Sequence, residues 1–76
     1  MKKRSVTLNG HRTSILLEPE FWTAIERAAK SRGISLASLI AGIDADRVHK
    51  GSAGGLASAL RLFALEVASS GRGEAE

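Results

Sequence analysis

The stretch RTSILLEPEFWTAIERAAKSRGISLASLI, residues 12–40, decides the fold because it carries the signals of three elements in succession. β-Branched and apolar residues at its beginning favour a strand. Glu18-Pro19 then begins a helix, since proline fits the first turn and an acid suits the positive end of the helix dipole. Gly33 fits the left-handed position that ends this helix, and Ser35 is a suitable N-cap for the next. The predicted order is strand, helix, helix.

Apolar residues recur at helical spacing in both helical segments. The spacing predicts a first helix over residues 19–31 and a second helix that continues from its cap to about residue 48. The predicted buried stripes are Phe21, Ile25 and Ala28 or Ala29 for the first helix, with Trp22 on its shoulder, and Leu36, Leu39, Ile40 and Ile43 for the second.

Two arrangements are open for the first eleven residues. Apolar residues are even-numbered before Asn9-Gly10 and odd-numbered after it, so a single continuous strand would place them on opposite faces. Asn-Gly favours a two-residue hairpin turn, which would restore one shared face. That hairpin has a mostly apolar face of Val6, Leu8, His11, Thr13, Ile15 and Leu17, and a mostly polar face of Ser5, Thr7, Arg12, Ser14 and Leu16. The alternative is a single strand over residues 12–17 preceded by a mobile basic arm, residues 1–11.

A Gly- and Ser-rich linker over residues 49–55 separates the second helix from a predicted third helix over residues 56–68. The third helix is apolar around most of its circumference, so we expect it to be buried on more than one side and to mediate oligomerisation. Residues 69–76 are expected to form a frayed tail. The main apolar stripe of the third helix is Leu56, Leu60, Phe63 and Val67, widened by Ala59, Leu62 and Leu65.

Length and composition narrow the possible functions. Seventy-six residues form one domain with a thin core, which favours a core shared between copies of the chain. The chain has no cysteine and two histidines, so we expect no metal site and no cofactor. No apolar run approaches the ~20 residues that cross a bilayer, and the basic N-terminus lacks the apolar core of a secretory signal. The expected location is the cytoplasm.

Charge and motif distribution point to a polyanion partner instead of catalysis. Residues 1–12 hold four basic and no acidic side chains, whereas residues 13–76 hold seven basic and eight acidic ones. A basic end suits nucleic acid, and the alternative on charge alone is a solvated segment that keeps the protein soluble. The glycines near residue 54 lie in a linker between helices, not in a phosphate-binding loop after a strand. Asp44 and Asp46 point to different sides of a helix. We therefore expect no catalytic residues and no enzyme activity.

The order of elements and the residues quoted for 12–40 resemble the ribbon-helix-helix family of bacterial DNA-binding proteins, which includes the Arc and methionine repressors. The longer run KRSVTLNGHRTS, residues 3–14, with Phe21-Trp22 in the first helix, is similar to a subgroup of short bacterial members. The resemblance implies a mostly α fold with a short N-terminal β-ribbon, formed as an intertwined dimer. The third helix is additional to the basic family fold.

The resemblance also implies a role for particular residues. In the family a two-stranded ribbon, one strand from each protomer, enters the DNA major groove. The base-contacting residues become Arg12, Ser14 and Leu16, although the family usually has a polar residue at the position of Leu16. The N-terminus of the second helix binds phosphate in the family, which implicates Ser35 and Ser38 beside the basic residues Lys2, Lys3 and Arg4. The expected oligomer interface is Ile15, Leu17, Leu56, Leu60, Phe63 and Val67.

These expectations lead to two hypotheses of function. The first is a transcriptional regulator that binds double-stranded DNA sequence-specifically as a homodimer or homotetramer. The second is a protein-interaction module that binds a partner protein through the third helix, as antitoxins of the family bind toxins.

Overall fold

The computed structural model describes residues 1–49, 51 and 54–74, with side chains placed as far as Ser69. Two antiparallel strands come first and three helices follow. The expected mostly α fold with an N-terminal β-ribbon and an additional C-terminal helix is confirmed. The elements are β1 (Lys2–Leu8), β2 (His11–Leu17), α1 (Pro19–Arg32), α2 (Leu36–His49) and α3 (Leu56–Glu74).

The two strands form a hairpin within one chain. Of the two arrangements open from the sequence, the structure therefore has the hairpin and not the single strand with a mobile arm. Asn9 and Gly10 have φ angles of 51° and 79°. Positive φ at both central residues is the requirement of a type I′ turn, whose twist matches that of the strands. Leu8 lies opposite His11 and Val6 opposite Thr13, as the parity of the apolar residues predicts.

The ends of the first two helices follow the sequence signals. The carbonyl of Glu18 accepts the N–H groups of Phe21 and Trp22 at 3.0 and 3.2 Å, which begins α1. Gly33 has a φ of 68° and ends α1, and its N–H donates to the carbonyl of Lys30 at 3.1 Å. This left-handed position is one that glycine occupies without steric cost. The predicted ends of these two helices are within one residue of the observed ends.

The core lies between the inner face of the hairpin and the three helices. Ile15 and Leu17 of β2 are buried, together with Ile25 of α1 and Ile40 of α2. Trp22 is 2% exposed and is the largest buried side chain, not a shoulder residue as the helical spacing suggests. Its position is explained by β1: the indole Nε1 donates to the backbone carbonyl of Lys2 at 2.8 Å.

Helix α3 belongs to this core and is not a separate layer. It packs on α1 and α2, and Leu60 and Ala64 are buried with the residues of the other helices. Three residues expected at an interface between chains, Ile15, Leu17 and Leu60, are therefore covered within a single chain. The remaining expected interface residues, Leu56, Phe63 and Val67, are partly buried against the same core.

The C-terminal part differs from expectation in extent. Helix α3 continues to Glu74, whereas the sequence predicts an end near residue 68 and a frayed tail. Within the predicted linker, Gly51 has a φ of 66° and its N–H donates to the carbonyl of Val48 at 3.1 Å. The linker residues 50, 52 and 53 and the last two residues of the predicted tail lie outside the described residues.

Candidate nucleic-acid interface

The hairpin presents one entirely exposed face away from the helices. Side chains alternate along each strand, and the register places the exposed positions of β1 directly opposite those of β2. All six side chains on this face are exposed. We call it the outward face, and it consists of Lys3, Ser5, Thr7, Arg12, Ser14 and Leu16.

The outward face is arranged as three cross-strand pairs. Thr7 lies opposite Arg12 at the end near the turn, and Lys3 lies opposite Leu16 at the other end. The middle pair is Ser5 and Ser14, whose hydroxyl oxygens are 3.5 Å apart. Each pair thus offers at least one hydrogen-bonding side chain to a ligand.

Arg12 and Leu16 are the charged and the apolar residue that β2 contributes to the outward face. No acidic side chain among the described residues forms an ion pair with Arg12, so its guanidinium can bind a ligand. Leu16 is 47% exposed and offers only an apolar side chain. The structure therefore places all three sequence-predicted base-contacting residues on one accessible surface, and their binding role stays a prediction.

The structure separates the three basic residues that the sequence grouped together for phosphate binding. Arg4 points to the helices, where its Nη1 donates to Oε2 of Glu26 at 2.7 Å. Its guanidinium carbon also lies 5.3 Å from the centroid of the Trp22 ring, within cation–π distance. Lys2 has an exposed side chain, and Lys3 belongs to the outward face. Arg4 thus already has intramolecular partners, whereas the two lysines extend into solvent.

Ser35 and Ser38 lie together at the N-terminus of α2. The hydroxyl oxygen of Ser35 accepts the backbone N–H of Ser38 at 3.0 Å and donates to the Ser38 hydroxyl oxygen at 2.9 Å. Ser35 is thus an N-cap, as the sequence predicts. Both residues are exposed, and the first amides of a helix have no acceptor within the helix. A phosphate contact by either serine stays a prediction.

An ion pair fixes the junction between the hairpin and α1. Arg61 of α3 donates from its Nε to Oε1 of Glu18 at 3.0 Å. A hydrogen bond to its own backbone, followed by the hydrogen bond from Arg61, holds the pKa of the Glu18 carboxyl below its ordinary value. The contact joins the residue that follows β2 to the third helix. The ion pair therefore adds a contact between α3 and the junction of the hairpin with α1.

A second surface lies between α2 and α3. It is an open groove of about 940 Å³ with an apolar floor that includes Leu39, Ile43 and Phe63. We call it the α2–α3 groove. Two leucines at its edge, Leu62 and Leu65, are 64% and 57% exposed. The sequence predicts an apolar circumference for α3, and the structure shows that this side of the helix is uncovered in one chain.

The sequence alone assigns no ligand contact to Ser5 and Thr7 of β1, and it assigns Lys3 to phosphate with the rest of the basic N-terminus. The structure places all three on the outward face. The signal that places all three is the Asn9-Gly10 turn, because it fixes the register of β1 on β2.

Within the described ranges, no three histidine, aspartate or glutamate side chains are grouped so that they could hold a metal ion. None of the helices in the same part of the chain is both long enough and apolar enough to cross a bilayer.

Comparison with known proteins identifies the fold family. The family model described as a ribbon-helix-helix domain matches residues 1–68, which includes the hairpin, α1, α2 and most of α3. No curated protein and no solved structure matches the chain significantly. Members of this family are in general DNA-binding regulators that bind DNA as dimers. The chain belongs to the ribbon-helix-helix family.

Proposed function

We propose that this protein is a sequence-specific transcriptional regulator that places its β-hairpin in the major groove of double-stranded DNA. The observation that carries the proposal is the outward face, six exposed side chains on a two-stranded ribbon whose other face contributes Leu8, Ile15 and Leu17 to the core. A major groove is about 12 Å wide and admits a two-stranded ribbon. The membership in a DNA-binding family supports the same function.

Three residues of β2 have side chains suited to base edges. Arg12 can donate two hydrogen bonds to O6 and N7 of guanine, and Ser14 can donate or accept. Leu16 can contact the methyl group of thymine, which is the apolar feature of the major groove. The exposed position of all three supports this assignment.

Phosphate contacts would hold the hairpin in the groove. Lys2 offers an exposed cation at the beginning of β1, and Ser35 and Ser38 lie at a helix N-terminus, where the dipole favours anions. Such contacts position a protein without reading sequence. We assign to Arg4 a structural role, because its guanidinium already binds Glu26 and covers Trp22.

We further infer that the functional species is a homodimer in the bacterial cytoplasm. The uncovered apolar side chains on α3 and the adjoining α2–α3 groove support an association through the helices. Burial of such side chains in a second copy removes apolar surface from water. A homotetramer would require a further contact surface.

A salt titration on DNA tests the proposal. Wild type, Arg12→Ala and Lys2→Ala are measured on a duplex selected by the wild-type protein from a random library, and on a scrambled duplex. Loss of Arg12 should weaken binding to the selected duplex by about 1–3 kcal/mol and affect the scrambled duplex less. Loss of Lys2 should weaken binding to both duplexes and reduce the slope of log affinity against log salt concentration by about 0.9 per lost phosphate contact. Equal behaviour of all three proteins on both duplexes would contradict the proposal.

The α2–α3 groove supports a second candidate function, the binding of a partner protein. Its apolar floor and the two exposed leucines at its edge have the character of a surface for an amphipathic helix. Failure of the wild-type protein to select any duplex, together with loss of binding to a co-encoded protein in Leu62→Asp, would favour this function over DNA binding.

A further inference from the structure

We propose that Asn9, at the tip of the hairpin, is a site of spontaneous deamidation, and that conversion of this one side chain weakens the binding of the hairpin to DNA. The effect on DNA rests on the proposed function, whereas the modification itself does not. Asn9 is the single asparagine of the chain, and the chain has no glutamine. The whole protein therefore has one side-chain amide, and a glycine follows it.

The reaction uses only atoms of the two turn residues and water. The backbone nitrogen of Gly10, once its proton has passed to solvent, attacks Cγ of Asn9. A C–N bond forms, the bond from Cγ to Nδ2 breaks, and ammonia leaves with a proton taken from water. Water then opens the resulting succinimide ring at one of its carbonyl carbons. Opening at Cγ gives aspartate with an ordinary backbone, whereas opening at the backbone carbonyl carbon gives isoaspartate, in which the main chain runs through Cβ.

The turn leaves the reacting groups accessible. Asn9 is exposed, and no hydrogen bond among the described residues holds its side-chain amide. The cross-strand pairs end at Leu8 and His11, so the N–H of Gly10 lies beyond the ladder, and no turn hydrogen bond in the described part of the chain includes it. Gly10 has no side chain to hinder the attack, and the space around its Cα is open.

The hairpin itself requires the reactive pair of residues. Asn9 and Gly10 have φ angles of 51° and 79°, a backbone region that asparagine and glycine adopt at the lowest cost. A bulkier residue in place of Gly10 would slow the attack on Asn9, but it would also strain the turn. The sequence that best forms this hairpin is therefore also the one that deamidates most readily.

Aspartate at position 9 keeps the turn but changes its charge. Aspartate tolerates the left-handed region much as asparagine does. The turn adjoins the end of the outward face where Thr7 lies opposite Arg12. A carboxylate there repels DNA phosphates and competes with them for the guanidinium of Arg12. Residues 1–12, which hold four basic and no acidic side chains, would then hold one acidic side chain.

Isoaspartate changes the hairpin more, because it lengthens the main chain of a two-residue loop by one methylene group. Loop length determines the register of a hairpin, and the register determines which side chains face the core. Leu8, directly before the loop, is 6% exposed in the core. A longer loop therefore cannot keep both this contact and the present pairing of β1 with β2 without strain. We expect the arrangement of the outward face to be lost in this form.

The test uses the full-length protein, kept folded in a mildly alkaline buffer made with heavy-oxygen water. Each deamidation places one heavy oxygen atom in the protein, which intact mass measurement counts and peptide mapping locates. The matched control is Asn9→Gly, because Gly-Gly also favours the turn but has no amide to lose. Asn9→Asp supplies the aspartate product directly. Ion exchange isolates the products, and a methyltransferase specific for isoaspartyl residues identifies the isoaspartate form.

We expect the label to enter the wild type at Asn9 and to be absent from Asn9→Gly. The aspartate form and Asn9→Asp should bind the selected and scrambled duplexes about 2- to 5-fold more weakly at low salt, with a smaller difference at high salt. The isoaspartate form should bind the selected duplex about 10-fold more weakly or worse, and its β1 amides should exchange hydrogen faster. Asn9→Gly should bind equally well before and after the same incubation.

Two results would overturn the inference and leave the proposed function standing. One is a folded wild-type protein that takes up no label while the urea-unfolded protein does, because the turn then protects Asn9. The other is a pair of product forms that bind the selected duplex as the wild type does. If the wild-type protein selects no duplex, the proposed function fails and the effect on DNA fails with it. Label uptake and hydrogen exchange then still decide whether Asn9 is a modification site.

Discussion

Ile15 and Leu16 are adjacent in β2 but lie in opposite environments. Ile15 is 4% exposed in the core, whereas Leu16 is 47% exposed on the outward face. We expect Ile15→Asp to unfold the protein, because a buried charge without a partner costs several kcal/mol. Leu16→Asp, the same change in charge one residue later, should change the free energy of unfolding by less than about 1 kcal/mol. Thermal unfolding followed by circular dichroism measures both, and similar losses in the two variants would contradict the assigned faces.

Trp22 shows why a residue's environment can escape prediction from one helix. The spacing of apolar residues in α1 places its side chain at the edge of the stripe. Its burial depends on β1, which begins twenty residues earlier and supplies both the carbonyl of Lys2 and the guanidinium of Arg4. Helical periodicity contains no information on which strand covers a helix, so the sequence indicates an apolar residue here but not its central place.

At the scale of elements, the hairpin was the predictable part. Asn9-Gly10 and the change of parity around it favour the register that the structure has, although the sequence leaves a single strand with a mobile arm open as the alternative. The caps of α1 and α2 were predictable for the same reason, since each depends on neighbours in the chain. The side of α3 that packs on the core could not be predicted, because contacts between segments far apart in the chain determine it. The same difference applies to the candidate site. Its β2 residues were predicted from the sequence, whereas the place of the β1 residues on the outward face became clear only from the pairing of the two strands.

We expect helix α3 to be required for the fold. Substitution of two leucines in this helix, one buried and one exposed, tests the expectation. Leu60 is fully buried and Leu62 is 64% exposed. We expect Leu60→Ala to lower the free energy of unfolding by about 2–5 kcal/mol, because it leaves a cavity in the core. Leu62→Ala should change it by no more than about 0.5 kcal/mol. Urea titration at a fixed protein concentration compares the two, and equal stabilities would mean that α3 is an added layer after all.

The Glu18–Arg61 ion pair predicts how acid affects the attachment of α3. A hydrogen bond to its own backbone, and then the hydrogen bond from Arg61, lower the pKa of Glu18 in the folded protein, so the carboxylate stabilises the fold at pH values above its ordinary pKa. This contribution is lost as the pH falls through the lowered pKa. We expect Glu18→Gln to be less stable than the wild type at pH 7 and the difference to shrink below about pH 4.

The control for this pH dependence is Glu66→Gln, at an exposed glutamate of α3 that forms no ion pair with the described residues. Thermal midpoints between pH 3 and pH 7 are the measurement. A difference between wild type and Glu18→Gln that stays constant over this range would show that the ion pair does not stabilise the fold.

At the scale of the whole molecule, the chain buries a core of its own but leaves large apolar side chains uncovered. We expect sedimentation equilibrium at micromolar concentration to show a dimer, because association covers the leucines at the edge of the α2–α3 groove. The double variant Leu62→Ser, Leu65→Ser should shift the equilibrium toward a monomer of 8.0 kDa with its helical content retained. A wild-type protein that is monomeric and folded at these concentrations would contradict the shared interface.

The burial of Trp22 beneath β1 also gives the protein a built-in optical probe. Trp22 is the single tryptophan and the chain has no tyrosine, so the ultraviolet emission comes from one indole. That indole donates a hydrogen bond to the backbone of β1. It is buried between β1 and the helices, on the side of the hairpin opposite the outward face. A ligand on the outward face leaves its emission blue-shifted, whereas detachment of the first strand exposes the ring and shifts the emission to longer wavelength. Fluorescence can therefore distinguish a docked hairpin from a released one in the same sample in which DNA is titrated.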